Sequence, residues 1–584
     1  MYSQPTARST TTLSFASDLD ALVAETMAEW KIPGLALAVV QSGDVALLKA
    51  YGYRDVEAEL PVTINTHFSI CSITKTFTST GLALLVDQGR LDWTKPVREY
   101  IPEFRMLDPI ATDRVTVRDL LCHHSGLPRH DWIWMPADLS PAEMLAAMRH
   151  LELSRDIREI YQYNNLGYNV AGIVTERISG LSWEDFIRTR LADNLHMKLS
   201  FTAEDLASTE DAAVPYTMND DRRLRTRLWP ICTPAAGGIN TSIAGIMNWM
   251  RLQLGKGEFE GQQFLSSAMI REMHTPRAHA YPSEFAELTD AQYGLGFQCR
   301  SYRGERMVSH SGGWIGCGTL MALLPDRDIG VAVFTNRDES AVMEVLAFYS
   351  FDRLCGKDQV PWFDRFRERR RQFLAHMDVN RDAQKTARKI GTRPSHDLAD
   401  YAGNYDHPGY GRIVITRAGD DLHWAYRGMS ALLSHRHYDT FELPEIPGRL
   451  HPDRLAISFT TCRDGRIASL SAPFEPMVKD IVFIRCPAGD CTDAAFREAC
   501  TGRFSDGPIV HFVTLDADGQ LLLKPDFQPA NRLRPYGDST FENVEAKGVK
   551  VEFRRGENGR VDELVFHQPS GISLARRCEP DSSA

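Results

Sequence analysis

Strand-forming segments stand at both ends of roughly the first 350 residues, and helical segments fill the region between them. A helix is predicted to start near Ser17 and to end before Pro33-Gly34, and a hairpin pattern follows over residues 35–50. Further strand patterns lie between residues 294 and 335, whereas residues 93–290 indicate mainly helices and long loops. This order predicts one sheet, completed by both ends of an α/β domain.

After about residue 395 the sequence changes to short strands and turns, and this part repeats itself. The segment 403–405 corresponds to 502–504, and 459–470 corresponds to 553–564 with the same internal spacing. Within the longer pair, Asp464-Gly465 and Asn558-Gly559 favour hairpin turns, because type I′ turns need positive φ angles. Two tandem antiparallel β units are therefore predicted, each a small barrel.

These patterns divide the 584 residues into four parts. Residues 1–360 form the first domain, and residues 361–396 form a charged helical linker with a run of arginines around Arg369. Residues 397–486 and 487–584 form the two β-barrel domains. The arginine-rich helix is read as a solvated connector, with an anion-binding patch as the alternative.

Composition bears on the expected partners and location. A formal charge of −11 argues against nucleic acid, and no stretch has the ~18 apolar residues of a membrane helix. The polar segment 1–15 lacks the apolar core of a secretory signal, and the eleven cysteines form no metal-type CxxC pair. We therefore expect a reduced, cytoplasmic protein without a metal. If a signal peptide was removed, the location would be periplasmic, and a Cys486–Cys491 or Cys491–Cys500 disulfide would become possible.

The first candidate catalytic pair is Ser72 and Lys75, at the start of an apolar helical segment. Positions i and i+3 share one face of a helix, so the hydroxyl and the amine can touch. A serine hydroxyl needs an adjacent base, and a lysine whose pKa is lowered by burial can serve. Taken alone, the alternative is a helix start with an exposed lysine.

Two further segments supply the remaining candidates. Tyr163 could move a proton between Ser72 and a leaving group, and Asn165 could hold Lys75 and the substrate amide. In the segment 310–313, His310 could donate a hydrogen bond or a positive charge across a cleft. Gly312 and Gly313 follow on the same strand, and glycines allow close approach of a substrate to a strand. Singly, the tyrosine could equally be a packing residue and the histidine a surface residue.

Together the three segments resemble the penicillin-recognising serine hydrolases, which include class C β-lactamases, D-Ala-D-Ala carboxypeptidases, D-aminopeptidases and related esterases. The family order S-x-x-K, Y-x-N and K-T-G or H-x-G is matched by Ser72 to Lys75, Tyr163 to Asn165 and 310–312. The stretches 120–127, 236–239 and 293–296 also look like the family. The resemblance covers roughly residues 15–350.

The resemblance implies a catalytic domain of β-lactamase/transpeptidase type: an antiparallel sheet flanked by helices, with an all-helical subdomain. It implies an acyl-enzyme on Ser72, activated by Lys75 and Tyr163, with the oxyanion held by the amides of Ser72 and Gly313. No cofactor is implied. Histidine at position 310, where many β-lactamases have lysine, is typical of D-aminopeptidases, related peptidases and esterases.

The preferred expectation is therefore a peptidase or amidase acting on short or unusual peptides, including D-residue or cyclic-derived ones. A carboxylesterase or lactonase acting on small esters is the alternative, and a β-lactam-binding protein without turnover is a third. Trp132 and Trp134 stand where a loop could cover an apolar subsite, although ordinary loop packing is the simpler explanation. Expected partners are a small molecule or short peptide, and a homo-oligomer is compatible with the sequence.

Overall fold

A computed structural model describes residues 10–135, 139–219, 222–228, 230–283, 285–338, 340–444, 455–556 and 558–578. The chain opens with helix α1 and a hairpin, then turns into the helix that carries Lys75. The bounds are α1 (Thr10–Glu29), β1 (Gly34–Gln41), β2 (Asp44–Asp55), β3 (Leu60–Pro61), β4 (His67–Ser69) and α2 (Thr74–Asp87). Helix α1 already contains Thr10, so the prediction that it starts near Ser17 is wrong. Ser17 is an exposed position inside the helix, where a polar residue is tolerated.

The middle of the chain is mostly helical, as expected. Its helices are α3 (Pro109–Arg114), α4 (Val117–Leu121), α5 (Pro141–Ala147), α6 (Leu166–Ser179), α7 (Trp183–Ile187), α8 (Ala203–Ser208), α9 (Pro234–Gly237), α10 (Ile243–Leu254) and α11 (Ser267–Met273). Short strands lie among them: β5 (Tyr216–Asn219), β6 (Arg222–Arg225), β7 (Asn240–Ser242), β8 (Glu258–Phe259) and β9 (Gln262–Gln263). Strand β7 pairs with β4 and so fixes the entry to α2.

The strands that follow complete the large sheet. They are β10 (Ala278–His279), β11 (Leu288–Tyr293), β12 (Gln298–Tyr302), β13 (Glu305–Trp314), β14 (Cys317–Leu324) and β15 (Ile329–Thr335), followed by helix α12 (Val342–Leu354). The nine-stranded order is β10-β11-β12-β13-β14-β15-β1-β2-β3, and each neighbouring pair is antiparallel. Strand β1 lies beside β15, so both ends of the domain meet in one sheet, which confirms the prediction.

Helices cover both faces of this sheet. Strand β1 is buried from Gly34 to Val40, because alternate side chains enter two different cores. Leu35, Leu37 and Val39 pack with α1 and α12, whereas the intervening side chains face the helical subdomain. Helix α2 is almost wholly buried within that second core.

Two closed antiparallel barrels of eight strands each complete the fold. Helix α13 (Trp362–Thr386) and the short α14 (Leu398–Tyr401) lead to the first barrel. Its strands are β16 (Gly403–His407), β17 (Gly411–Ala418), β18 (Asp421–Tyr426), β19 (Met429–His437), β20 (Thr440–Leu443), β21 (Leu455–Thr461), β22 (Ile467–Ala472) and β23 (Ile481–Arg485). Its interior is continuous with the apolar core of the helical subdomain.

The second barrel follows helix α15 (Ala494–Cys500) and has a core of its own. Its strands are β24 (Gly502–Ser505), β25 (Val510–Leu515), β26 (Leu521–Pro525), β27 (Asn531–Gly537), β28 (Thr540–Asn543), β29 (Lys550–Arg555), β30 (Val561–Gln568) and β31 (Gly571–Arg577). The repeated segments fall on equivalent strands: β16 with β24, and β21–β22 with β29–β30. The predicted fold class, an α/β domain followed by two β-barrels, is therefore confirmed.

Two properties of the described chain bear on earlier expectations. None of its helices is both long and apolar enough to cross a membrane. All eleven cysteines are free thiols, so neither of the two alternative disulfides is formed. The segments 1–9, 445–454 and 579–584 of the predicted domains lie outside the described residues.

Candidate active site

Ser72 lies in a tight turn that joins strand β4 to helix α2. The turn is a single 3-10 segment, Cys71–Ile73, and Cys71 adopts a left-handed φ of 48°. Such a φ is uncommon for a residue other than glycine and costs on the order of 1 kcal/mol. Every residue from Phe68 to Ala83 is buried except Ser72, which is half-buried. The turn therefore exposes one hydroxyl from an otherwise closed segment.

Lys75 lies one turn further on, and its side chain is wholly buried. Its Nζ is 3.1 Å from Ser72 Oγ, 2.8 Å from Asn165 Oδ1 and 2.8 Å from the carbonyl oxygen of Ala236. The amide and carbonyl oxygens can only accept hydrogen bonds. If the amine is neutral, its two N–H groups serve these oxygens and its lone pair points at Ser72.

The environment of Lys75 favours this neutral form. Burial lowers the pKa of Lys75 well below its usual value, and the positive charge of Arg129 lowers it further. Asp131 and Cys71 act in the opposite direction and do not outweigh burial. A neutral amine in contact with a serine hydroxyl can remove its proton.

Tyr163 forms one wall beside this pair. The centre of its ring is 4.8 Å from Lys75 Nζ and 5.3 Å from Arg129 Cζ. Burial raises the pKa of Tyr163 to about 12, although a hydrogen bond with Ser72 and the charge of Arg129 oppose the shift. The raised pKa favours the protonated phenol at neutral pH. A protonated phenol can donate its proton to a departing atom.

Asn165 stands at the start of helix α6 and holds Lys75 by the 2.8 Å contact from its Oδ1. Its neighbour Asn164 fixes the backbone there: its Nδ2 donates to the carbonyl of Leu127 at 3.0 Å, and its Oδ1 accepts from the amide of Gly167 at 2.8 Å. The structure thus brings Ser72, Lys75 and the Tyr163-x-Asn165 segment together.

The two glycines of the third segment differ in what surrounds them. A Cβ on Gly312 would lie 2.3 Å from the carbonyl oxygen of Ile70 and 2.4 Å from Thr319 Oγ1. Strand β13 can therefore approach the Ser72 turn only with glycine at 312. Gly313 is exposed, lines the cleft and would meet nothing within 4 Å. Its place is compatible with the expected oxyanion role.

His310 lies behind the cleft, which corrects the expectation of a substrate-facing charge. It is 1% exposed, and its Nε2 is 2.9 Å from the hydroxyl of Tyr293 while its Nδ1 is 2.6 Å from the carbonyl of Ser311. Burial, reinforced by the charge of Lys75, lowers the pKa of His310 to about 3. The imidazole is therefore neutral and supports the wall that carries Tyr163.

The stretch 293–296 packs against the back of the catalytic helix. Gly296 has a φ of 83°, and a Cβ there would lie 2.4 Å from Ser79 Oγ and 2.9 Å from the carbonyl oxygen of Lys75. Only glycine suits this close approach and left-handed backbone. This stretch of the family pattern therefore fixes the position of Lys75 without lining the cleft.

The cleft itself is small, with a volume of about 50 Å³. Besides the predicted residues, its lining includes three side chains that the motifs do not name: Arg129, Trp134 and Trp314. The two indoles stack with ring centres 5.4 Å apart. Trp132, in contrast, is inserted into the first barrel, where it stacks on Phe474 at 4.0 Å with an interplanar angle of 9°. Of the predicted tryptophan pair, only Trp134 lines the cleft.

Arg129 and Trp314 were missed because neither belongs to a spaced motif. Arg129 follows the stretch Leu120–Leu127, whose only sequence signal is its likeness to the family, and Trp314 directly follows Gly313. An arginine close after that stretch was the available clue, since a cation in a cleft selects anions. Among the described residues, no cluster of three or more His, Cys, Asp or Glu side chains could hold a metal ion.

The antiparallel sheet, the helical subdomain and the serine–lysine–tyrosine cluster define a protein of the β-lactamase/transpeptidase fold. Residues 19–351 match the family model described as Beta-lactamase, and residues 387–485 match one described as a domain of unknown function, DUF3471. Because the first match covers more than half of the chain, this protein belongs to the beta-lactamase family, whose members are serine hydrolases.

Three known proteins illustrate the likeness. Unguisins hydrolase ungD′ of Aspergillus campestris is 27% identical over 420 residues, which are 68% of this chain and 77% of the relative. Protein flp of Staphylococcus aureus is 26% identical over 342 residues, covering 56% of this chain and 64% of the relative. The octameric penicillin-binding protein homologue from Pyrococcus abyssi superposes with a TM-score of 0.53 at 25% identity, covering 80% of this chain and 99% of that one.

Proposed function

We propose that this protein is a serine peptidase or amidase that forms an acyl-enzyme on Ser72 and acts on short or unusual peptides. The observation that carries the proposal is the buried Lys75 amine, 3.1 Å from the one accessible hydroxyl of its segment. The likeness to a hydrolase of unguisins supports hydrolysis as the reaction.

In the first step Ser72 Oγ attacks the carbonyl carbon while its proton passes to neutral Lys75. The carbonyl oxygen becomes an oxyanion, for which the amides of Ser72 and Gly313 are the proposed donors. The bond to the leaving atom then breaks, and Tyr163 gives that atom a proton. Proton transfer from Lys75 to Tyr163 restores the phenol.

In the second step water replaces the departed group. Lys75, neutral again, takes a proton from the water as it attacks the acyl carbon, and Ser72 recovers its proton as the ester bond breaks. Asn165 keeps the Lys75 amine aimed at Ser72 throughout, because its Oδ1 holds one N–H at 2.8 Å. His310 has no direct contact with substrate in this scheme.

The size of the cleft supports a short substrate. A cleft volume of about 50 Å³ is compatible with a small side chain or acyl group next to Ser72. The docked first barrel lies against the loop that forms one side of this cleft. Peptides including D-residue or cyclic-derived ones remain within the proposed class.

Esterase or lactonase activity on small esters is the second candidate. The stacked Trp134 and Trp314 form an apolar wall beside Gly313, which favours an uncharged acyl group. An ester also needs less help from Tyr163, because an alkoxide or phenoxide leaves more easily than an amide nitrogen.

Parallel assays with D-alanine p-nitroanilide and p-nitrophenyl butyrate test these alternatives. The proposal predicts steady turnover of the anilide, and Ser72→Ala should abolish it. Turnover of the ester alone would favour the esterase. A burst of one equivalent followed by arrest with every substrate would indicate a non-turnover acceptor.

A further inference from the structure

Arg129 places a cation in the cleft that the motif at 310–313 does not provide. Its side chain is 41% exposed and lines the cleft together with Ser72 and Tyr163. Its Nε donates to Asp131 Oδ2 at 2.6 Å. Its two terminal nitrogens donate to no acceptor within the described part of the chain. One edge of the guanidinium is therefore held, and the other is available to a ligand.

The acidic groups near Arg129 are buried and already engaged, so they do not close off its free edge. The Asp131 side chain is 9% exposed, and its Oδ1 accepts the indole N–H of Trp134 at 2.9 Å. Glu475 is 4% exposed and accepts the amides of His130 at 2.7 Å and Met477 at 3.0 Å. Among these charges, only the guanidinium is accessible from the cleft.

The first barrel fixes the loop that carries Arg129. His130, with a left-handed φ of 45°, bridges to the barrel: its Nδ1 is 2.6 Å from the Tyr410 hydroxyl, and its Nε2 is 2.9 Å from the carbonyl oxygen of Glu152. Trp132 stacks on Phe474, and the Tyr426 hydroxyl donates to the Trp132 carbonyl at 2.7 Å. Residues that alternate along the loop thus enter the barrel and the cleft. A side chain held in this way is pre-organised for recognition.

We propose that Arg129 binds a carboxylate carried by the leaving group of the substrate, and that the first barrel holds it in place for this purpose. The proposal rests on the proposed function and narrows its substrate class to peptides or esters with an anionic leaving part. The free edge, with its two terminal nitrogens, matches a carboxylate in shape and charge.

The position of Tyr163 is the reason for placing the carboxylate on the leaving group of the substrate. Arg129 Cζ lies 5.3 Å from the Tyr163 ring, and Tyr163 is the residue proposed to protonate the leaving atom. A carboxylate a few bonds from that atom would therefore lie against the guanidinium. The acyl side faces Gly313 and the two stacked indoles instead.

Two pairs of simple esters test the assignment. Phenyl acetate and 3-carboxyphenyl acetate share an acyl group and differ by a carboxylate on the leaving group. The mono-p-nitrophenyl ester of succinic acid and p-nitrophenyl acetate differ by a carboxylate on the acyl group. In the wild type we expect a higher kcat/KM for 3-carboxyphenyl acetate than for phenyl acetate.

Arg129→Gln should lower this ratio by about 10- to 100-fold, the range expected for a hydrogen bond to a charged group. Arg129→Lys keeps the charge and loses the planar pair of N–H donors. It should retain part of the preference, even if the glutamine variant folds poorly. Arg155→Gln is the matched control, because Arg155 is 47% exposed and pairs with Glu159 rather than lining the cleft.

An unchanged ratio in Arg129→Gln, or no preference in the wild type, would overturn the proposal. Loss of preference only in the succinate pair would also overturn it, since the anion would then bind on the acyl side. Hydrolysis that persists in Ser72→Ala would refute the proposed function instead, so the two failures are distinguishable.

Discussion

Replacing Arg129 by glutamine should move the acid limb of the pH–rate profile to higher pH. Lys75 acts as a base only when neutral, and its activity is lost as the pH falls through its pKa. The positive charge of Arg129 helps to keep the pKa of Lys75 low. Without it, Asp131 remains and also favours the protonated amine. Both effects therefore act in the same direction.

The magnitude follows from the geometry around Tyr163. Lys75 Nζ and Arg129 Cζ are 4.8 and 5.3 Å from one ring centre, so they lie at most about 10 Å apart. Two charges at that distance repel by about 1.7 kcal/mol at an effective dielectric constant of about 20. Arg129 is 41% exposed, so solvent and salt reduce this value. On the acid side of the limb, kcat/KM should fall by about 3- to 10-fold beyond any change in the plateau.

The assay is kcat/KM for uncharged phenyl acetate between pH 5 and 9 at constant ionic strength. Arg155→Gln serves as the control for the loss of an exposed arginine, and Arg129→Gln/Asp131→Asn removes both opposing charges. The double variant should place the limb between those of the wild type and the single variant. If the acid limb of Arg129→Gln stays at the wild-type pH or moves to lower pH, the reasoning is refuted.

Three other substitutions give distinct outcomes. Gly312→Ala should lower the stability of the catalytic domain by about 1–3 kcal/mol in thermal unfolding, because a backbone carbonyl occupies the space that a methyl group would need. Gly313→Ala should leave the melting temperature unchanged, because nothing lies within 4 Å of the added group. Equal effects of the two substitutions would contradict this prediction. Tyr163→Phe should slow amide hydrolysis by about 10²- to 10⁴-fold and ester hydrolysis by less, since the phenol protonates the poorer leaving group; equal losses would argue against that role. Trp132→Ala should remove the preference for 3-carboxyphenyl acetate while fluorophosphonate labelling persists, and Trp132→Phe should retain the preference. An unchanged preference in the alanine variant would show that the barrel contact plays no part in substrate selection.

The fold could be predicted from the sequence because its signals are local and repeated. The strand patterns at 35–50 and 294–335 required one sheet, and the repeated Asp-Gly and Asn-Gly turns required two equivalent β units. The start of α1 was misjudged, since an exposed Ser17 inside a helix looks the same in sequence as a capping serine.

The chemistry of the site depends on burial, which spacing does not determine. The sequence places a histidine at 310 on a strand near the cleft, yet only the structure shows that it is hidden behind the cleft beside Tyr293. Burial, reinforced by the charge of Lys75, lowers its pKa to about 3. Similarly, nothing in the sequence distinguishes Arg129, which enters the cleft, from Trp132, which enters the barrel. The directions of these two side chains depend on the contact between their loop and the first barrel, whose residue Tyr426 is 294 positions from Trp132 in the chain.

The central claim concerns a covalent bond to one oxygen atom. Treatment with a fluorophosphonate should join phosphorus to Ser72 Oγ with loss of fluoride, and mass spectrometry of the intact protein and its peptides should find one adduct, at residue 72. Ser72→Ala should carry none, whereas Ser79→Ala, which changes a buried serine on the same helix, should label as the wild type does. An adduct at another residue, or undiminished labelling of Ser72→Ala, would contradict the account.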